Sequence, residues 1–137
     1  TRSHQLAMYV VYESPLQMIS DSPTKYEENQ ESFEFIKNPP AVWDETIPLA
    51  GEIGEFIVVA RRSGDIWYIG AMNGDTPRSV EVDLSFLGQG AKKIKAHIDG
   101  VNASQQAKDF RVVESAITNH KLKIDMVRGG GYIGIIR

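Results

Sequence analysis

The chain has 137 residues, 42% hydrophobic and 24% charged, with a net charge of −3 and no cysteine; this suits one soluble globular domain with a core of its own. Its 15 lysines and arginines are scattered, so no basic stripe offers itself to nucleic acid, and no apolar run approaches the roughly 20 residues that a membrane helix needs. Disulfides and thiolate metal sites are excluded, while a cysteine count of zero fits cytoplasm and periplasm equally well.

The chain opens on Thr1-Arg2-Ser3-His4, without an initiator Met or a signal-peptide pattern, as a fragment of a longer protein would. Residues 6–12 (LAMYVVY) read as the body of a helix that starts near Ser3 and stops near Glu13, because Pro15 pushes the residue before it out of helical geometry. Apolar residues lie on most of its faces, which predicts burial on most faces. Residues 16–20 (LQMIS), bounded by Pro15 and Asp21-Ser22-Pro23, read as a buried strand. Ser22-Pro23 then starts a helix that runs, with a break near Asn29, through Phe33, Phe35 and Ile36 to Lys37. Helix, strand and helix joined by short turns form a piece of a βα-repeat architecture.

After Pro39-Pro40 the pattern changes, and the domain boundary is placed there: 1–39 in front, 40–137 behind. Residues 42–49 are extended, with Pro48 marking a sheet edge. Residues 56–62 and 66–72 flank Ser63-Gly64-Asp65, read as a three-residue hairpin turn. Three segments alternate with period two: Val80, Val82 and Leu84 against Glu81 and Asp83; Ile94, Ala96 and Ile98 against Lys95 and His97; Leu122, Ile124 and Met126 against Lys123 and Asp125. Each implies one buried and one wet face. Residues 110–117 and 132–136 complete about eight short strands, the signature of an antiparallel Greek-key β-sandwich. With its own alternating faces, the sandwich is expected to be stable without residues 1–37. That front segment is expected to fold back on it or to bury itself against another copy.

Few motifs carry chemistry. Gly129-Gly130-Gly131-Tyr132-Ile133-Gly134 matches G-x-G-x-x-G, but no helix can follow it, so it reads as a turn or bulge entering the last strand. His4, His97 and His120 are far apart and form no ligand pair; His4 and His120, flanked by polar residues, read as surface positions. Asp44, Glu45, Glu52 and Glu55 read as solvated edge charges, since neighbours on a strand face opposite ways. Asp21 sits between a strand end and a helix start, where barrels put functional groups, and a turn residue helping Ser22 is an equal reading. Trp43, Trp67, Tyr68 and Tyr132 suit either a platform for sugar rings or ordinary packing.

Residues 1–18 (TRSHQLAMYVVYESPLQM) and Asp21-Ser22-Pro23-Thr24 with Tyr26 resemble the late barrel segment of family-97 glycoside hydrolases. Val42-Trp43-Asp44-Glu45-Thr46, residues 54–62 (GEFIVVARR), residues 64–68 (GDIWY), residues 83–87 (DLSFL) and the glycine run resemble that family's C-terminal domain. The resemblance implies a bacterial, typically periplasmic, calcium-dependent α-glucosidase or α-galactosidase with a (β/α)₈ catalytic barrel. Residues 3–13, 16–20 and 23–37 would be its last helix, strand and helix, and residues from Pro40 its C-terminal sandwich, to which oligomerisation is attributed. The catalytic carboxylates and calcium-binding glutamates would all lie upstream of Thr1. The chain alone is therefore expected to be inactive, with the upstream barrel and other copies as partners and an oligosaccharide as the parent's substrate. Asp21 alone could reach that substrate, in the intact parent. The alternative is a stand-alone carbohydrate-binding sandwich built on the Trp and Tyr cluster.

Overall fold

The computed structural model describes residues 1–14, 22–37, 39–90 and 92–137. The expected strand at 16–20 and Asp21 lie outside them. The front of the chain forms α1 (Arg2–Val11), α2 (Pro23–Glu27) and α3 (Gln30–Ile36), and the expected break falls at Asn29, which has non-helical angles of φ −125° and ψ 53°. Thr1 caps α1, its hydroxyl accepting from the His4 N–H at 3.2 Å. No helix among the described residues is long and apolar enough to cross a membrane.

Eight strands follow among the described residues, seven of them where the sequence pattern placed them and the first lying three residues further on than the expected 42–49: β1 (Glu45–Glu52), β2 (Phe56–Ser63), β3 (Ile66–Asn73), β4 (Arg78–Asp83), β5 (Lys92–Asp99), β6 (Phe110–Ile117), β7 (Lys121–Met126) and β8 (Gly131–Ile136). All pairings are antiparallel. Six strands make one sheet in the order β1-β2-β3-β8-β5-β6, and β4-β7 make a second. The sandwich is therefore lopsided. Ser63 pairs directly with Ile66, so the β2–β3 loop has two residues rather than three, and Gly64 at φ +59° supplies the left-handed conformation such a tight turn requires.

The large sheet is buried on both faces. Against one face lies the β4-β7 ribbon, enclosing Val58, Ala60, Ile69, Ala71, Val82, Leu84, Ile94, Ala96, Ile124, Met126, Tyr132 and Ile136. On the other, Val59, Tyr68 and Ile133 meet Leu6, Ala7 and Val10 of α1 and Phe35 of α3. Both clusters follow from alternation along the same strands: Val58 and Ala60 point one way, Val59 the other. The front segment thus folds back on the sandwich. It supplies a third layer.

Candidate functional site

α1 lies across β3 and β8, where two glycines let it approach closely. A Cβ on Gly131 would lie 2.5 Å from the His4 Cα and 2.6 Å from the His4 nitrogen, and one on Gly70 would lie 2.8 Å from the Val10 Cβ. The first clash is with helix backbone, which cannot rotate away, so a side chain there would lift the helix off the sheet. Of the glycine run, Gly129 at φ +58° makes the expected turn, whereas Gly131 is a contact surface. That second role was invisible without knowing that a helix covers the strand.

Charge holds both ends of α1. At the N-terminus the buried Asp99 carboxylate accepts from the Thr1 hydroxyl at 2.7 Å and from the Val127 and Gly131 N–H groups at 3.2 Å each. The Thr1 backbone nitrogen donates to the Gly129 carbonyl at 2.8 Å, and the His4 Nδ1 lies 3.0 Å from the Gly130 carbonyl. At the C-terminus the buried Arg61 of β2 donates from Nη1 to the Tyr12 carbonyl at 2.9 Å, and its guanidinium lies over Trp43. A carboxylate at the positive end of a helix and a guanidinium at the negative end both oppose the helix dipole. Together they fix the direction in which α1 lies.

α3 covers β5. Alternation alone puts His97 on a wet face, but there it is 3% exposed, between Phe35 of α3 and Phe110 of β6, whose ring centroids lie 6.0 and 6.2 Å away. Lys93 and Lys95 on the same face remain exposed and line a groove that faces α3. Burial, with a smaller contribution from Lys95, lowers the imidazole pKa to about 4. His97 is thus neutral in the fold, while the unfolded chain takes up a proton near pH 6.5. This contribution to stability is complete above about pH 6.5 and is lost as pH falls toward 4. Between pH 7 and pH 4.5, His97→Phe should lose roughly 2 kcal/mol less stability than the unaltered chain in urea titrations. An equal loss in both would show that the ring is not held neutral.

Beside His97 a groove of about 820 Å³ opens between α3 and the sheet, with Glu31 and Glu34 on one wall and Lys93, Lys95 and Arg137 on the other. Among the described residues no three His, Asp or Glu side chains gather as a metal site; the calcium-binding glutamates that the sequence resemblance implies would lie upstream of Thr1. His4 and His120 are half-buried rather than fully exposed.

Of the edge carboxylates, Glu52 is exposed and the other three pair with arginines at the surface. Asp44 and Glu45 lie 3.6 and 3.3 Å from Arg62, and Glu55 lies 2.8 Å from Arg78. The four aromatics do not form a platform. Trp43 meets Tyr68 edge-on at 5.3 Å on the helix face, whereas Trp67 meets Phe86 at 4.6 Å on the other. Tyr132 is buried in the sandwich core, where desolvation raises its phenol pKa well above the ordinary value. Packing is what these rings do.

A family model described as "Glycosyl-hydrolase 97 C-terminal, oligomerisation" matches residues 42–137. The chain is 45% identical over 133 residues to a retaining alpha-galactosidase of Bacteroides thetaiotaomicron, covering 96% of this chain and 20% of that protein. It is 34% identical over 131 residues to a probable retaining alpha-galactosidase of Streptomyces bingchenggensis, again covering 96% and 20%. A glycoside hydrolase family 97 enzyme from Pseudoalteromonas sp. strain K8, solved in complex with acarbose, superimposes with a TM-score of 0.89 at 34% identity, over 98% of this chain and 22% of its own. The chain thus spans about a fifth of the length of these relatives. Because the superposition takes in nearly the whole chain, the helical layer is shared along with the sheets.

Proposed function

This chain belongs to the family of glycoside hydrolase 97 C-terminal, oligomerisation domains, and on that premise we propose that it is the non-catalytic C-terminal part of a calcium-dependent α-glycosidase. In this reading the upstream barrel holds the catalytic carboxylates and the calcium, and acts on an α-linked oligosaccharide. Of the two activities the resemblance allows, identity to two alpha-galactosidases favours α-galactosides. The present chain closes the barrel, docks against it and brings copies together. A periplasmic setting is part of the same proposal.

The observation that carries this reading is the seat of α1. One helix packs on the C-terminal sheet through Leu6, Ala7 and Val10, with Tyr9 edge-on to Phe35, while Met8 stays half-exposed and Tyr12, just past the helix end, is 48% exposed. A helix with apolar residues on both sides suits a position between two bodies. The alternative, a stand-alone sugar-binding sandwich, relied on an aromatic cluster whose members are divided between two faces.

Glycoside hydrolysis requires two carboxyl groups roughly 5–9.5 Å apart astride the scissile bond. The purified 137-residue chain should therefore release no nitrophenol from a nitrophenyl α-galactoside or α-glucoside, while the full-length parent does. Release by the chain alone would overturn the proposal.

A further inference from the structure

Among the described residues the two sheets have four free edges, and three are blunted. β1 carries Pro48, which lacks an N–H, and its register slips between Pro48 and Ala50; a proline and a bulge both resist pairing. β4 and β7 carry Arg78, Glu81, Asp83, Lys121, Lys123 and Asp125, half of their residues. β6 differs. Its eight residues pair one to one with β5, without proline or bulge, and Arg111 and Glu114 are its only charges. Phe110, Val112, Val113 and Ile117 are each half-buried along it. A flat, regular, mainly apolar edge of this length is a template for another strand.

We propose that β6 pairs antiparallel with β6 of a second copy, joining two six-stranded sheets into one of twelve strands. This rests on the oligomerisation reading above and names the surface that would carry it. The pairing is self-complementary, as a two-fold interface must be. A two-fold axis perpendicular to the sheet keeps each residue on its own face, so one residue of β6 lies opposite its own copy. Phe110, Val112, Glu114 and Ala116 share the helix face with their β5 partners Asp99, His97, Lys95 and Lys93. Centring the axis on Arg111 or Glu114 sets like charges opposite each other, which is unfavourable. An axis at Val113 places Arg111 opposite Ser115 and Val112 opposite Glu114, with no like charges facing. An axis at Val112 instead places Arg111 opposite Val113 and Phe110 opposite Glu114, again with no like charges facing, so Val112 or Val113 is the residue that meets its own copy.

The chain has no cysteine, so single Val112→Cys and Val113→Cys variants report this contact directly. Directly opposed Cβ atoms in an antiparallel pair lie about 4.5–5.5 Å apart, close enough for a disulfide after small adjustment. Under mild oxidation one of these variants should form disulfide-linked dimers at roughly ten times the yield of Thr46→Cys on the blunted β1 edge. In sedimentation equilibrium, Ser115→Lys combined with Ala116→Lys should raise the dimer dissociation constant about tenfold while the chain keeps its folded circular dichroism, because charges added to an edge oppose pairing. A dimer that survives the lysines and yields no β6 cross-link would overturn the edge assignment and leave the oligomerisation reading standing. A chain that is monomeric at all accessible concentrations would overturn both.

Discussion

Gly131→Ala should destabilise the chain by roughly 3 kcal/mol, the upper end of what one added methyl costs in a packed interior. The new carbon would sit 2.5 Å from the His4 Cα, 2.6 Å from the His4 nitrogen and 2.9 Å from the Ser3 carbonyl carbon, against ordinary contacts of about 3.5–4.0 Å. To relieve the clash, α1 must move outward by about 1 Å. Its N-terminal tethers to Asp99, Gly129 and Gly130 then stretch with it. Gly131 needs no left-handed backbone, since only Gly129 of its run has a positive φ, so the effect would be one of contact rather than of strain. For a chain of this length the melting temperature should fall by about 10 °C. Gly70→Ala should cost less, because its new carbon meets the Val10 and Val11 side chains rather than backbone. Equal melting temperatures for Gly131→Ala and the unaltered chain would show that α1 does not rest there.

The strands were legible because period-two alternation needs nothing beyond the sequence. β4 and β7 alternate most cleanly, and they are the strands with one face in water. β2, β3 and β8 instead read as near-continuous apolar runs, FIVVA, IWYIGAM and YIGII, a pattern that signals burial on both faces. What covers the second face is not written in the strands. It is the helix at the far end of the chain, and its seat depends on Gly70, Gly131, Asp99 and Arg61, residues scattered along the sequence.

The same gap explains His97. Alternation set it beside Lys95 on a wet face, and Lys95 is wet. His97 lies under Phe35, more than 60 positions away in sequence, and nothing local to β5 distinguishes it. The insertion of β8 between β3 and β5 was equally hidden, since alternation fixes which way side chains point but not which strands are neighbours. The resemblance, by contrast, was carried by long contiguous runs. That is why the family was legible where the helix seat was not.

The central claim is that α1 and α3 are part of the fold rather than an appendage to it. Clean alternation suggested that a sandwich beginning at Pro40 stands alone. The structure argues otherwise, because removing α1 and α3 would expose Val59, Tyr68 and Ile133 on the sheet, now 5%, 9% and 0% exposed. It would also leave the Asp99 carboxylate and the Arg61 guanidinium without their helix partners. At about 2 kcal/mol for each apolar side chain, the sheet alone loses roughly 6 kcal/mol of burial, comparable to the whole stability of an ordinary domain. The most direct measurement compares thermal melting and light scattering of the full chain with those of residues 40–137. The full chain should melt cooperatively, whereas residues 40–137 should melt at least about 15 °C lower or aggregate through the uncovered face. Residues 40–137 that melt at the temperature of the full chain, without aggregating, would contradict the account.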